Sequence, residues 1–181
     1  MLTGAVGAGK STTALALAVH LRSLGRTVAV VDLDEVYCMV RQHDDWDEPA
    51  WWAVARLAAA AMADSFFASG LDAVVIEGEF FTPDECRQLL DSLVSKVDQG
   101  YFTLMVSYEE ALRRVQGDSS RGASRDPKFL KWLHDNFAKA LPYLESASVV
   151  LRADDRTPEE LAALMVDTLP AGAREGVHPS L

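Results

Sequence analysis

Cysteine is scarce in this chain. Only Cys38 and Cys86 occur among 181 residues, and their positions match no metal-site or redox spacing. A disulfide framework and a thiolate metal centre are therefore excluded, and both thiols are expected to be reduced and partly buried. Histidine is equally sparse. His20, His43, His134 and His178 show no spacing suited to a metal or a catalytic triad, and His20 and His134 read as surface or packing residues on helices. No basic run is present and the net charge is −10, which argues against nucleic acid or an anionic membrane as a main partner. Long apolar runs are missing too. The stretch Leu57–Ala63 falls far short of the ~20 residues that a bilayer span needs. No signal-peptide pattern precedes the first motif, so a cytoplasmic location is expected. No repeat or linker divides the sequence. One domain is expected over 1–169, followed by a flexible tail over 170–181.

Against these absences stands one complete motif, Gly4-Ala5-Val6-Gly7-Ala8-Gly9-Lys10-Ser11, a G-x-x-x-x-G-K-[ST] phosphate-binding loop. Its glycines let the backbone approach closely and turn successive N–H groups toward phosphate oxygens. Gly4, Gly7, Ala8, Gly9, Lys10, Ser11 and Thr12 are the expected nucleotide contacts. Lys10 reaches the β- and γ-phosphates and Ser11 ligates Mg²⁺. The context fits. Thr12 to Leu24 reads as a helix offering Leu15, Val19, Leu21 and Leu24 to a core, Gly25 ends it, and Thr27 to Val31 is a buried strand. Only Met1-Leu2-Thr3 precede the loop, so either the true start lies upstream or the first strand is stunted.

Strand and helix alternate throughout, which predicts an α/β fold with a parallel sheet covered on both faces. Helices are expected over Ala50 to Ala68, Pro83 to Val97, Glu109 to Gln116, Lys128 to Ala140 (stopped by Pro142) and Pro158 to Leu169. Strands are expected over Ala73 to Ile76, Tyr101 to Val106 and Ser148 to Leu151. His43 to Pro49 and Gly117 to Pro127 read as polar breaks.

Assembled in this order, the chain resembles the small P-loop kinases that phosphorylate metabolites, such as shikimate kinase, gluconate kinase, adenylylsulfate kinase and chloramphenicol phosphotransferase. Three features carry the resemblance: the phosphate loop, the Asp32-Leu33-Asp34 pair at the end of the second strand, and Arg113-Arg114 followed by Arg121 and Arg125. It implies a three-layer P-loop nucleoside-triphosphate-hydrolase fold, an acceptor-binding segment at about 35–70 and a mobile lid at about 114–127. ATP and Mg²⁺ are the implied cofactors, and a small-molecule hydroxyl is the implied acceptor. Arg114 or Arg113 would lie by the adenine, and Arg121 or Arg125 would close over the phosphates. The loop Asp154-Asp155-Arg156-Thr157 would pass near the adenine, although Thr157 also suits a plain helix cap. Shikimate kinase has a triple glycine after strand 3 where this chain has Glu77-Gly78-Glu79, so shikimate is not the expected acceptor.

Asp32 and Asp34 follow an apolar strand, at the edge where open α/β sheets bind ligands. If the chain stays extended they point to one side. Asp34 is favoured as the base for the acceptor hydroxyl and Asp32 as the metal-side partner. The alternative is that both cap the next helix. Glu77, also at a strand end, either orients the acceptor or holds the metal's water. Arg121 is the first choice for neutralising the transferred phosphate because it lies within the loop. Trp46 is the expected wall for a ring-bearing acceptor, whereas Trp51 and Trp52 read better as core. Asp34, Glu35, Asp44, Asp45, Asp47, Glu48, Glu77 and Glu79 crowd the acceptor side, offset only partly by Arg41 and Arg56. That field favours a neutral or cationic acceptor such as a nucleoside, sugar or antibiotic. Two rival functions share the motif: a partitioning-type P-loop ATPase and a nucleotide-binding module without turnover. For the first, the signature lysine would fall on Ala5, and the lid arginines would lack a role.

Overall fold

The computed structural model describes residues 1–40 and 49–169. Five parallel strands form one sheet, β1 (Leu2–Gly4), β2 (Val28–Asp32), β3 (Ala73–Glu77), β4 (Phe102–Met105) and β5 (Val149–Arg152), in the order β2-β3-β1-β4-β5. The central strand β1 has three residues, as the short lead into the loop predicts. The helices are α1 (Lys10–Ser23), α2 (Leu33–Val40), α3 (Pro49–Ala68), α4 (Pro83–Leu90), α5 (Tyr108–Gly117), α6 (Pro127–Ala147) and α7 (Pro158–Thr168), with a 3-10 turn at Ala123–Arg125.

Two cores result. One joins α1, α5, α6 and α7 to β1, β4 and β5. The other joins α2, α3 and α4 to Val31 and Ile76. Helices covering the faces of a parallel sheet leave its carboxyl edge open for ligands.

Helix α1 corrects one expectation. Leu15 and Val19 are 58% and 63% exposed and Leu24 is exposed as well. The buried stripe is instead Thr13, Ala14, Leu17, Ala18 and Leu21. The phosphate loop fixes the rotation at which the helix leaves it, and the small Ala14 and Ala18 admit close packing against α7.

Helix α4 stops at Leu90, well before Val97. Beyond it, the Asp64 carboxylate accepts the N–H groups of Val94 and Ser95 at 2.9 Å and holds the chain away from helical geometry. Helix α6 continues through Pro142 to Ala147 rather than stopping. A mid-helix proline costs ~3 kcal/mol; the fully buried Leu144, together with Leu141 and Tyr143 packed on the core, offsets it. Among the described residues, no helix is long and apolar enough to cross a membrane.

Candidate functional site

The carboxyl ends of β1, β2 and β3 meet at one point. Strand register pairs Asp32 with Glu77, and Glu77 in turn with Leu2. Gly4 therefore reaches past Glu77 and begins the phosphate loop directly beside the two carboxylates. Gly4 must lack a side chain, since a Cβ there would sit 2.4 Å from the Leu104 carbonyl. Gly9 turns the loop into α1 at φ 88°, a left-handed conformation suited to glycine. No side chain caps α1, so its first N–H groups remain free for an anion.

Lys10 folds back, and its Nζ donates to the Gly4 carbonyl at 3.2 Å. Ser11 and Thr12 are exposed at the start of the helix. The Ser11 hydroxyl donates to Glu77, which is only 2% exposed. Burial pushes the Glu77 carboxyl up to about 7; the Ser11 hydrogen bond and the Lys10 charge pull it down, and the Asp32 charge raises it. Ser11, Asp32 and Glu77 form a set of hard oxygen donors, the kind Mg²⁺ takes beside phosphate. No cluster of three or more His, Cys, Asp or Glu residues forms a metal cage among the described residues.

The raised Glu77 pKa has a consequence for stability. The fold favours the protonated form, so this group's contribution is fully present below about pH 4.5 and lost as pH climbs through about 7. Glu77→Gln should flatten that decline. Without metal or nucleotide, it should be more stable than the parent protein at pH 8 by up to roughly 3 kcal/mol. Denaturant midpoints at pH 5 and pH 8 measure this. Parallel pH profiles for the two proteins would contradict it.

The extended run expected after β2 does not form. Helix α2 begins at Leu33, directly after Asp32. Asp32 Oδ1 accepts the N–H groups of Asp34 (2.9 Å) and Glu35 (3.4 Å), so the capping alternative holds for Asp32. Asp34 lies in the first turn of α2, exposed at the mouth of the site. The protein around Asp34 raises its pKa, the charges of Lys10 and Arg121 lower it, and Asp32 raises it again. Arg121 thus acts on Asp34 from the α5–α6 loop. Its own ion pair is with Asp118 at 3.4 Å, half-exposed on both sides and cheap to exchange.

The other arginines are placed differently. Arg114 inserts behind the phosphate loop and donates to the carbonyls of Gly7 (3.4 Å), Ala8 (3.3 Å) and Ala153 (2.6 Å). Its Nε pairs with Glu110. Arg113 is exposed and also pairs with Glu110. Arg125 donates to the Gln116 carbonyl at 3.4 Å, bracing the 3-10 turn on α5. Trp46 lies outside the described residues, as do Arg41, Asp44, Asp45, Asp47 and Glu48. Trp52 stacks on the buried Tyr37 with centroids 3.9 Å apart, a packing role, and Trp51 also packs against that core. Arg56 is buried, donating to Glu85 (2.9 Å) and Gln88 (3.0 Å). Asp154 accepts the Ser107 N–H at 2.8 Å, and Thr157 forms a capping box with Glu160.

One contact was not foreseen. His134 of α6 lies 2.9 Å from the Val6 carbonyl, with the Tyr108 ring edge-on to its imidazole. The sequence separation of 128 residues leaves no local pattern from which to read it.

A family described as ATPase MipZ matches residues 3–49. No curated protein matches the sequence. Among solved structures, shikimate kinase from Acinetobacter baumannii in complex with shikimate superposes with a TM-score of 0.60 at 20% identity, covering 92% of this chain and 89% of that one. Shikimate kinase from Bacteroides thetaiotaomicron gives 0.59 at 16%, covering 92% and 93%. The tunicamycin resistance protein of Deinococcus radiodurans gives 0.54 at 16%, covering 92% and 91%. With its five-stranded parallel sheet and the phosphate loop at the end of a central strand, this chain has the P-loop nucleoside-triphosphate-hydrolase fold that is also found in shikimate kinase.

Proposed function

We propose that this chain is an ATP-dependent phosphotransferase acting on a hydroxyl of a small molecule. The observation that carries the proposal is the phosphate loop starting at the carboxyl end of β1, beside Asp32 and Glu77 at the ends of β2 and β3, with Asp34 in the first turn of α2; the charges of Lys10 and Arg121 both lower the Asp34 pKa. A carboxylate on which both cations act suits an acceptor hydroxyl facing the γ-phosphate. The hydroxyl oxygen attacks the γ-phosphorus, the bond to the β-phosphate oxygen breaks, and Asp34 takes the hydroxyl proton. Lys10 and Arg121 balance the charge spread over the transferring group. Ser11, with Asp32 and Glu77 behind it, would hold Mg²⁺, which when bound supplies further neutralisation of the phosphates. Gly7, Gly9 and Thr12 contribute backbone N–H groups, Ala8 lines the loop with its own N–H turned to the Ala5 carbonyl, and Arg114 and Arg125 act from the two ends of the lid region.

The acceptor is proposed to be neutral or cationic. Glu35, Glu77 and Glu79 border the site, and the buried Arg56 spends its charge on Glu85, so it leaves little to attract an anion. Arg121→Ala should lower kcat more than it weakens acceptor binding, because its charge is asked to act on the transferring group. Initial rates over a range of acceptor concentrations measure this; a raised KM with unchanged kcat would contradict it.

The rival partitioning-type ATPase draws on the family match over residues 3–49, a segment that ends before β3. The kinase-like structures superpose along 92% of the chain. One experiment separates the possibilities. The protein is incubated with ATP, Mg²⁺ and a panel of neutral, cationic and carboxylated hydroxyl compounds, following ADP release and acceptor mass. ADP released only with an acceptor that gains one phosphoryl mass supports the kinase. Acceptor-independent hydrolysis supports the ATPase. Preference for a carboxylated compound, growing at low salt, would overturn the charge assignment.

A further inference from the structure

The phosphate loop is held from behind by two side chains, one from each helix that brackets the α5–α6 loop. Arg114, from α5, holds the Gly7 and Ala8 carbonyls. His134, from α6, holds the Val6 carbonyl at 2.9 Å. A carbonyl can only accept, so His134 Nε2 carries the proton. The ring is half-buried and braced edge-on by Tyr108, whose hydroxyl donates to the carbonyl of Pro127, the first residue of α6 (3.0 Å). Tyr108 opens α5 and Pro127 opens α6, so the bracket ties both helices to the loop.

A trans peptide points its N–H opposite to its C=O. Fixing the Val6 carbonyl outward therefore turns the Gly7 N–H inward, toward the phosphate site. Fixing the Ala8 carbonyl does the same for Gly9. The Ala8 N–H is already committed to the Ala5 carbonyl at 3.1 Å. Gly7 and Gly9 are thus the loop amides that these two side chains can aim at an anion. We propose that His134 is a positioning residue that aims the Gly7 amide at bound phosphate and couples phosphate binding to the placement of the lid segment between α5 and α6. The proposal rests on reading this loop as a nucleotide site, and it extends to a residue that touches neither substrate.

Glutamine can place an amide donor close to the position of His134 Nε2; asparagine is too short. His134→Asn should weaken ATP binding about tenfold, the scale of losing one well-placed hydrogen bond, and leave adenosine binding unchanged. His134→Gln should stay close to the parent protein. ATP should slow protease cleavage within residues 117–124 in the parent and in H134Q, and do so less in H134N. Calorimetry with ATP and with adenosine, alongside the cleavage rates, reads all of this without requiring turnover. Unchanged ATP affinity in H134N overturns the inference. Equal losses in H134N and H134Q overturn it too, since ring packing rather than the donor would then matter. Equal losses for ATP and adenosine would show a general disturbance and also overturn it. Failure of every acceptor to become phosphorylated by the parent protein would remove the kinase proposal and leave this inference standing on nucleotide binding.

Discussion

Replacing Lys10 with alanine is expected to abolish phosphoryl transfer while the protein remains folded. Lys10 contributes nothing to either core. Its hydrogen bond to the Gly4 carbonyl is 3.2 Å long and partly exposed. Its charge already lowers the pKa values of both Asp34 and Glu77, which places it where phosphate charge would develop. Removing a single preorganised charge-stabilising donor costs on the order of 10²–10³ in kcat, and the role proposed for Lys10, on two phosphates, should exceed that. ADP release and acceptor mass should fall to background, with the thermal midpoint close to that of the parent. Full turnover in this variant would remove the kinase proposal.

Asp34→Asn tests a narrower claim with a comparably large effect. Asparagine preserves shape and removes the proton acceptor. We expect a loss in kcat of roughly 10²–10⁴-fold, the range of general-base catalysis, with ATP affinity little changed. Asp34 is exposed and caps no helix, so stability should also hold. Single-turnover rates and ATP titrations separate the two effects. Collapse of ATP binding with kcat preserved would move Asp34 to the metal side and leave Asp32 or Glu77 to accept the proton.

Much of this arrangement can be read from short-range pattern. The phosphate loop, the parallel strands and the carboxylates at strand ends depend on neighbours within a few residues, and the strand positions agree with the sequence to within about two residues. The errors have a common cause. Two apolar stripes run along α1, and only the packing of α7 decides that Ala14, Leu17 and Ala18 go inward while Leu15 and Val19 do not. Pro142 should stop a helix by its own chemistry, and tertiary burial of the next turn overrides that tendency. Asp32 and Asp34 share one side only if the strand continues, and an immediate helix start prevents it. Arg114 and His134 reach loop carbonyls about 106 and 128 residues away, distances over which pattern carries no information. The resemblance places Arg114 or Arg113 by the adenine; Arg114 bonds the carbonyls of Gly7, Ala8 and Ala153.

The strand order also governs when the protein can acquire its activity. The central strand precedes both of its neighbours in the chain, and they come from far along it: Leu2 pairs with Glu77 on one side and Phe102 on the other. A ribosome must emit the chain through β4 before β1 has a partner on both flanks. Gly4 gains its close neighbour, Leu104, only at that point. Until then the phosphate loop lacks β4 beside it, and the edge of β1 that β4 will cover is unpaired. Such non-local closure slows folding and exposes sticky edges to other chains. Substitutions in β4, far in sequence from any phosphate contact, should therefore reduce the yield of active protein more than they reduce the activity of the molecules that do fold.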